Sequence, residues 1–226
     1  MTQKGKFIII EGTDGSGKTT QLEELKDYLE TQGTTVKVID FPQYEEFWGS
    51  MVGRFLSGEF GKLEDVNPYI IAPAYMLDQA TQSKNIIEWI NKGYIVLSNR
   101  YVTSSMAHQT CKFSNTEEQN KFLSWLTEAA YNHIGLIKED ITIVLSADPK
   151  ISKELAQQSK HRKTNYTRGI DIAEDHESHI SDSAHMYKSL CERFDTWHLI
   201  DCMNDSKIDS IENIHKKIVA LITDIL

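Results

Sequence analysis

The sequence predicts an α/β fold, a five-stranded parallel sheet with helices on both faces in three layers, and three observations carry that expectation. Five short apolar runs, at residues 7–10, 36–41, 94–98, 141–146 and 198–201, are separated by segments of helix length, and strands that alternate with helices close into parallel sheets. A glycine-rich loop joins the first run directly to the first helical pattern. At 226 residues, 40% of them hydrophobic, the chain is long enough to bury one α/β core and short for two. Residues 1–226 are therefore expected to form a single domain.

The first run, Phe7-Ile8-Ile9-Ile10, is apolar at every position, which suits a strand buried on both faces. The loop Gly12-Thr13-Asp14-Gly15-Ser16-Gly17-Lys18-Thr19 then fits the phosphate-cradling P-loop pattern at each specified position. A triphosphate packs several negative charges closely, so it needs many donors with no side chains in the way. Gly12, Gly15 and Gly17 let the backbone turn and aim N–H groups inward. Lys18 adds a point charge for the β- and γ-phosphates, and the Thr19 hydroxyl is placed for Mg²⁺. The helix that follows carries Leu22, Leu25 and Leu29 at helical spacing with Gly33 as its stop, and its N-terminus adds partial positive charge.

Ligands of open parallel sheets bind beyond the carboxyl ends of the strands. That rule gathers four segments into one crevice: the P-loop, Phe41-Pro42-Gln43-Tyr44, Asn99-Arg100-Tyr101 and Asp148-Pro149. The last is explained by structure alone, as an N-cap with proline in the first turn of a helix. Residues 159–169 crowd Lys160, His161, Arg162, Lys163 and Arg168 into an acidic chain, where a basic lid and a solvated surface loop both fit. Residues 67–85 read as one long helix, and residues 208–226 as a closing amphipathic helix with Ile211, Ile214, Ile218, Leu221 and Ile222 on its apolar side.

Other classes are disfavoured. A net charge of −9 argues against a general nucleic-acid binder. No apolar stretch approaches the length of a membrane span, and the opening residues run straight into a strand, so no signal peptide is expected. Cys111, Cys191 and Cys202 lack zinc-like spacing, which fits a reducing cytoplasm. The guanine-reading Asn-Lys-x-Asp pattern is missing, because Asn91-Lys92-Gly93-Tyr94 ends in tyrosine. His176 and His179 lie three apart on a polar stretch, not at the i, i+4 spacing of helical zinc pairs.

Five segments together resemble the thymidylate (dTMP) kinase family of P-loop nucleoside monophosphate kinases, in family order and across nearly the whole chain. They are Glu11 to Thr20, Phe41-Pro42-Gln43-Tyr44, Tyr75-Met76-Leu77-Asp78-Gln79, Asn99 to Gln109, and Arg168 to Glu174. The resemblance implies a P-loop kinase fold with a short basic lid at about 159–170. It implies ATP as co-substrate, Mg²⁺, dTMP as acceptor, and a homodimer. On that basis Gly12, Thr13, Gly15, Ser16, Gly17, Lys18, Thr19 and Thr20 would bind the donor phosphates, and Thr19 and Asn99 would serve the metal. Asp14 would approach the acceptor sugar's 3′-hydroxyl, and Arg100 would bridge donor and acceptor phosphates. Tyr75 would stack on the thymine ring, Ser105 and Gln109 would face the base edge, His108 would guard the sugar's 2′ side, Tyr44 would lie by the acceptor phosphate, and Ser104 would belong to the same acceptor set. Phe41, Gln79, Asp171 and Glu174 complete the acceptor set. Because Gly15 follows the loop acid, the resemblance places the catalytic arginine in the lid, at Arg168 or Arg162, beside Lys18, Arg100 and Asp14.

Two positions depart from the family pattern. Asn99 stands where an aspartate usually precedes the arginine, and an amide brings no charge to a hard cation. Gln79 stands where an arginine usually reaches the base and acceptor phosphate, and it lacks that residue's charge and rigid fork. Alternatives therefore stay open: a kinase for another nucleoside monophosphate or a deoxynucleoside, or a nucleotide-binding regulatory relative without turnover. By residue type alone, Tyr75 fits core packing as well as a base platform, and His108 fits a satisfied surface histidine.

Overall fold

The computed structural model describes residues 4–158, 171–173 and 176–223. Its central sheet has five parallel strands in the order β2-β3-β1-β4-β5. These are β1 (Lys6–Gly12), β2 (Val36–Asp40), β3 (Ile95–Asn99), β4 (Ile141–Ser146) and β5 (Trp197–Asp201). All five expected strands are present, with ends moved by one or two residues. β1 is central because it is apolar on both faces. Phe7 and Ile9 enter one core with Ile39, Val96 and Val144, while Ile8 and Ile10 enter the other with Val36, Leu97 and Ile143. That split follows from the alternation of side chains along a strand.

Helices cover both faces. On one lie α1 (Lys18–Thr31) and α9 (Ile211–Thr223), which bury Leu22, Leu25, Leu29, Ile214, Ile218 and Ile222. On the other lie α4 (Ser83–Asn91), α5 (Val102–His108), α6 (Thr116–Thr127) and α8 (Glu177–Arg193), contributing Ile86, Ile90, Met106, Phe122, Leu126 and Leu190. Each fully buried side chain of this size contributes roughly 1.5–3 kcal/mol over its exposed state, so the two cores hold the sheet from both sides. α2 (Phe47–Leu56) and α3 (Pro68–Ala80) build a smaller cluster from Val52, Phe55, Leu56, Leu63, Ile71 and Ala74.

Local chemistry sets the ends of these elements. α1 stops in a Schellman arrangement, with Gly33 at φ 81°, its N–H donating to the Glu30 carbonyl and the Thr34 N–H to that of Leu29. α7 (Pro149–Gln158) is capped by Asp148, whose Oδ1 accepts from the N–H groups of Lys150 (2.9 Å) and Ile151 (3.3 Å).

Two expected helices are corrected. Residues 67–85 form two helices, not one, because the Thr81 hydroxyl donates back to the Asp78 carbonyl at 2.6 Å and the Gln82 amide is drawn to Gln43 Oε1 at 2.9 Å. The closing helix begins at Ile211, not at residue 208. Residues Met203–Asn204 (β6) and Lys207–Ile208 (β7) form a hairpin whose turn residues, Asp205 (φ 44°) and Ser206 (φ 66°), have the positive φ of a two-residue turn. Ser210 then caps α9 by accepting from the Asn213 N–H at 3.2 Å.

Candidate active site

The P-loop leaves β1 at its carboxyl end and needs glycine at two positions for reasons of space. Gly12 has φ 138° and Gly15 φ 83°, a region that L side chains avoid. A Cβ on Gly12 would lie 2.5 Å from the Leu145 carbonyl oxygen, and one on Gly15 would lie 1.9 Å from that of Ser152. The loop is thus clasped by the end of β4 and by α7. Lys18 is buried and folded back across the loop, where its Nζ donates to the carbonyls of Gly12 (3.0 Å) and Thr13 (2.8 Å). It also pairs with Asp14 Oδ1 at 3.4 Å.

Arg100 follows β3 immediately and occupies the left-handed region, φ 65°, a strained choice for a non-glycine residue. Its backbone is held on both sides, with its N–H donating to the Ile10 carbonyl at 3.1 Å and its own carbonyl accepting from Ser98 Oγ at 2.6 Å. The guanidinium donates to Asp14 Oδ1 at 2.7 Å and to Ser104 Oγ at 3.1 Å. Burial acts to lower its pKa, but Asp14, Tyr187 and Glu11 outweigh that and hold it well above the ordinary value. Asp14 therefore ties together the two cations, one from each half of the crevice.

Glu11 is fully buried at the end of an otherwise apolar strand. Its carboxylate accepts from the Tyr101 N–H (3.2 Å), Thr103 Oγ1 (2.6 Å), Ser104 Oγ (2.7 and 3.0 Å) and Tyr187 OH (2.7 Å), and Arg100 lies 4.0 Å away. A buried ion survives only when its lone pairs are filled in this way. Sequence reading gave Glu11 no role of its own, although one acid closing a strand of isoleucines was a signal.

A pocket opens beside Arg100. Phe55, Leu56 and Leu63 line it together with Asp14, Ser104, Ser105, His108 and Gln109. Tyr44, Tyr75 and Asp171 line it as well, and burial first of all pushes both phenols well above their ordinary range, so both stay neutral. Its lining combines two phenol rings and apolar side chains with the Arg100 cation and with amide and hydroxyl groups. Gln109 is buried, and its Oε1 has no hydrogen-bond partner among the described residues.

Not every expected residue lies here. Phe41 is buried against Tyr101, ring centroids 5.9 Å apart, and Gln79 is buried outside the pocket lining with its Oε1 unpartnered. Asn99 is also outside it, donating from Nδ2 to Asp40 Oδ1 at 2.9 Å. Arg162, Arg168, Glu174 and the expected lid at 159–170 lie outside the described residues. Oxygen donors that could serve a hard cation are the hydroxyls of Thr19 and Thr20 in the first turn of α1 and the Asn99 Oδ1, which is buried and without a partner among the described residues.

His108 is held by a chain that sequence reasoning missed. Arg100 Nη1 is 3.4 Å from His108 Nε2, His108 Nδ1 is 3.2 Å from His179 Nε2, and His179 Nδ1 is 3.6 Å from Cys111 Sγ. Guanidinium can only donate, so His108 Nε2 accepts and its Nδ1–H donates to His179, whose Nδ1–H then faces the sulfur. The Cys111 thiol donates onward to the His108 carbonyl at 3.4 Å. Burial first, then Arg100, holds His108 well below its ordinary pKa; burial first, then Lys112 and His176, pushes His179 down to about 4. Both rings are neutral at pH 7. His179 is thus a buried member of this hydrogen-bonded series; residues 108 and 179 are brought together by the packing of α5 on α8.

A family model described as thymidylate kinase matches residues 10–218. The thymidylate kinase of Bifidobacterium longum strain DJO10A is 32% identical over 160 residues, 70% of this chain and 74% of that protein. That of Caldicellulosiruptor saccharolyticus is 27% identical over 226 residues, 99% of this chain and 98% of that one. Among solved structures, thymidylate kinase from Candida albicans superposes with a TM-score of 0.72 at 19% identity, covering 98% of this chain and 92% of that one, a likeness of fold.

Proposed function

The chain belongs to the thymidylate kinase family, and from that premise we propose that it transfers the γ-phosphoryl group of ATP to dTMP, giving dTDP and ADP. The observation that carries the reading is the shared carboxylate. Asp14 joins Lys18 of the P-loop to Arg100 in the lining of the aromatic pocket, so a donor phosphate on the loop and an acceptor phosphate beside Arg100 would meet at one point.

The reaction needs no protein nucleophile. A phosphate oxygen of dTMP attacks the γ-phosphorus, the bond from that phosphorus to the β–γ bridging oxygen breaks, and ADP leaves with the electron pair. The protein's part is to bring two anions together and to neutralise the charge that moves between them. Lys18 exchanges its loop carbonyls for the β- and γ-oxygens. Arg100, already charged and held by Glu11, Asp14 and Ser104, bridges the two phosphates. Tyr75 and the apolar wall take the thymine ring, while Ser105 and the unpartnered Gln109 Oε1 meet its edge. His108 and Tyr44 flank the sugar and phosphate, and Arg162 and Arg168 are proposed as further cations. Mg²⁺ fits the oxygen donors Thr19 and Asn99 and would neutralise charge on the donor phosphates.

The net charge of −9 supports small nucleotides, not nucleic acid, as partners, and among the described residues no helix is long and apolar enough to cross a membrane; a cytoplasmic enzyme is consistent with both. Phe47 on α2 and Ile70 on α3 are about three-quarters exposed, large apolar side chains whose burial against a second copy supports a homodimer, measurable by light scattering.

Replacing Lys18 with alanine is expected to abolish dTDP formation while leaving the circular dichroism spectrum unchanged. Retained turnover in that variant would disprove the P-loop assignment. Assays across dTMP, dUMP, dGMP and dCMP test the acceptor, and a tenfold preference for another monophosphate would overturn dTMP.

A further inference from the structure

We propose that Asp40, one strand away from the expected position, supplies the carboxylate charge that Asn99 lacks, so that the two residues act as one metal-orienting pair. The inference rests on the phosphotransfer reading above.

Asp40 and Asn99 are register partners on β2 and β3, and Asn99 is in turn the register partner of Ile10 on β1, just before the P-loop. Alternation along the strands decides which way both side chains leave. Val36 on β2, and Ile95 and Leu97 on β3, pack with Leu22, Leu25 and Leu29 of α1. Residue 40 shares the parity of Val36 on its strand, and residue 99 that of Ile95 and Leu97 on its own, so both side chains leave on the α1 side. The first turn of α1 carries Thr19 and Thr20. The pair thus stands at the carboxyl ends of its strands, on the side of the sheet where the donor phosphates and their cation would be held.

The hydrogen bond between the two groups fixes what each presents. Asn99 Nδ2 donates to Asp40 Oδ1 at 2.9 Å, and a carboxylate can only accept, so the amide nitrogen must face Asp40. The opposite end, Oδ1, is buried and has no partner among the described residues. Buried acceptors without donors are uncommon and mark a missing ligand or water. An amide whose N–H binds a carboxylate is polarised, and its oxygen becomes a stronger acceptor. Mg²⁺ keeps several of its waters, and those waters are strong donors. Asn99 Oδ1 would take one of them, with Asp40 supplying the charge from behind, in the way outer carboxylates tune metal sites through their inner ligands.

The test uses full-length protein, Mn²⁺ as the spectroscopic probe, and ADP, with binding followed by electron paramagnetic resonance. Asp40→Asn, which can still accept from Asn99 and keep the strands together, should weaken Mn²⁺ binding in the enzyme–ADP complex by about tenfold or more, while ADP affinity without metal is unchanged. The exchanged variant, Asp40→Asn with Asn99→Asp, should recover the wild-type Mn²⁺ affinity. An unchanged Mn²⁺ affinity in Asp40→Asn would overturn the proposal, as would failure of the exchange to restore it. If the wild-type enzyme itself binds no Mn²⁺ with ADP, the phosphotransfer reading fails instead.

Discussion

Replacing Glu11 with glutamine preserves shape and removes one charge at the residue that anchors Arg100. In the native protein its two oxygens collect one N–H and three hydroxyl donors, from Tyr101, Thr103, Ser104 and Tyr187. Hydrogen bonds to an ion contribute about 1.5–3 kcal/mol each and neutral ones about 0.5–1.5, so four bonds weakened by roughly 1 kcal/mol total about 4 kcal/mol. Glutamine also brings its own N–H₂ into a cage of donors. The backbone N–H of Tyr101 cannot turn away, whereas the hydroxyls of Ser104 and Tyr187 can rotate to accept, so the amide nitrogen will take the Oε2 place. Against these losses stands the lower cost of burying an amide than an ion, which is several kcal/mol before pairing and is already largely offset by Arg100 at 4.0 Å. A net loss of about 3 kcal/mol is expected, which in a chain of this size lowers Tm by about 6–12 °C. Urea unfolding followed by tryptophan fluorescence, with calorimetry for Tm, measures it directly, and turnover should fall with the loosened Arg100. A Tm within about 2 °C of wild type, less than 1 kcal/mol on this scale, would refute the claim that a charged acceptor holds this junction.

Other perturbations test other parts of the structure. Gly15→Ala should lose nucleotide binding, because the new Cβ meets the Ser152 carbonyl oxygen at 1.9 Å on a backbone with φ 83°; nucleotide titration by calorimetry checks it, and wild-type affinity would show that the loop and α7 do not clasp each other. Burial raises Glu139 to about 7 despite the Tyr131 hydroxyl at 2.8 Å. Its folded pKa lies above the unfolded one, so its contribution is complete below about pH 4.5 and is lost as pH rises through 7. Glu139→Gln should therefore gain about 3 kcal/mol on wild type between pH 4.5 and 8; parallel stability curves would refute this. His179 has the opposite sign. With its folded pKa depressed to about 4, stability is present above pH 6.5 and is lost as pH falls toward 4. His179→Asn should remove up to about 3 kcal/mol of that slope, read from urea midpoints at pH 7 and pH 4.5, and an undiminished slope would count against a buried neutral ring.

What the sequence alone determined was whatever depends on neighbours in the chain. Five apolar runs and the helices between them were legible because burial of a strand or of a helix face needs only a local pattern. The P-loop was legible for the same reason, since Gly12, Gly15, Gly17, Lys18 and Thr19 act within eight residues of one another. Local patterns also set the limit of that reading. Nothing in residues 67–85 shows that Gln43 will take hold of Gln82 across 39 positions and end a helix there. The site was partly legible: Asp14, Arg100, Tyr75, Ser105, His108 and Gln109 do line one pocket, while Phe41 and Gln79 belong to the packing around it. Only the tertiary structure could show that Glu11 is satisfied by Tyr187, 176 positions away, that His108 leans on His179, and that Asp40 lies beside Asn99. A buried charge, a tautomer and an orphaned amide oxygen are each defined by the groups that surround them in space, and those groups meet only when the strands pair and the helices pack on the sheet.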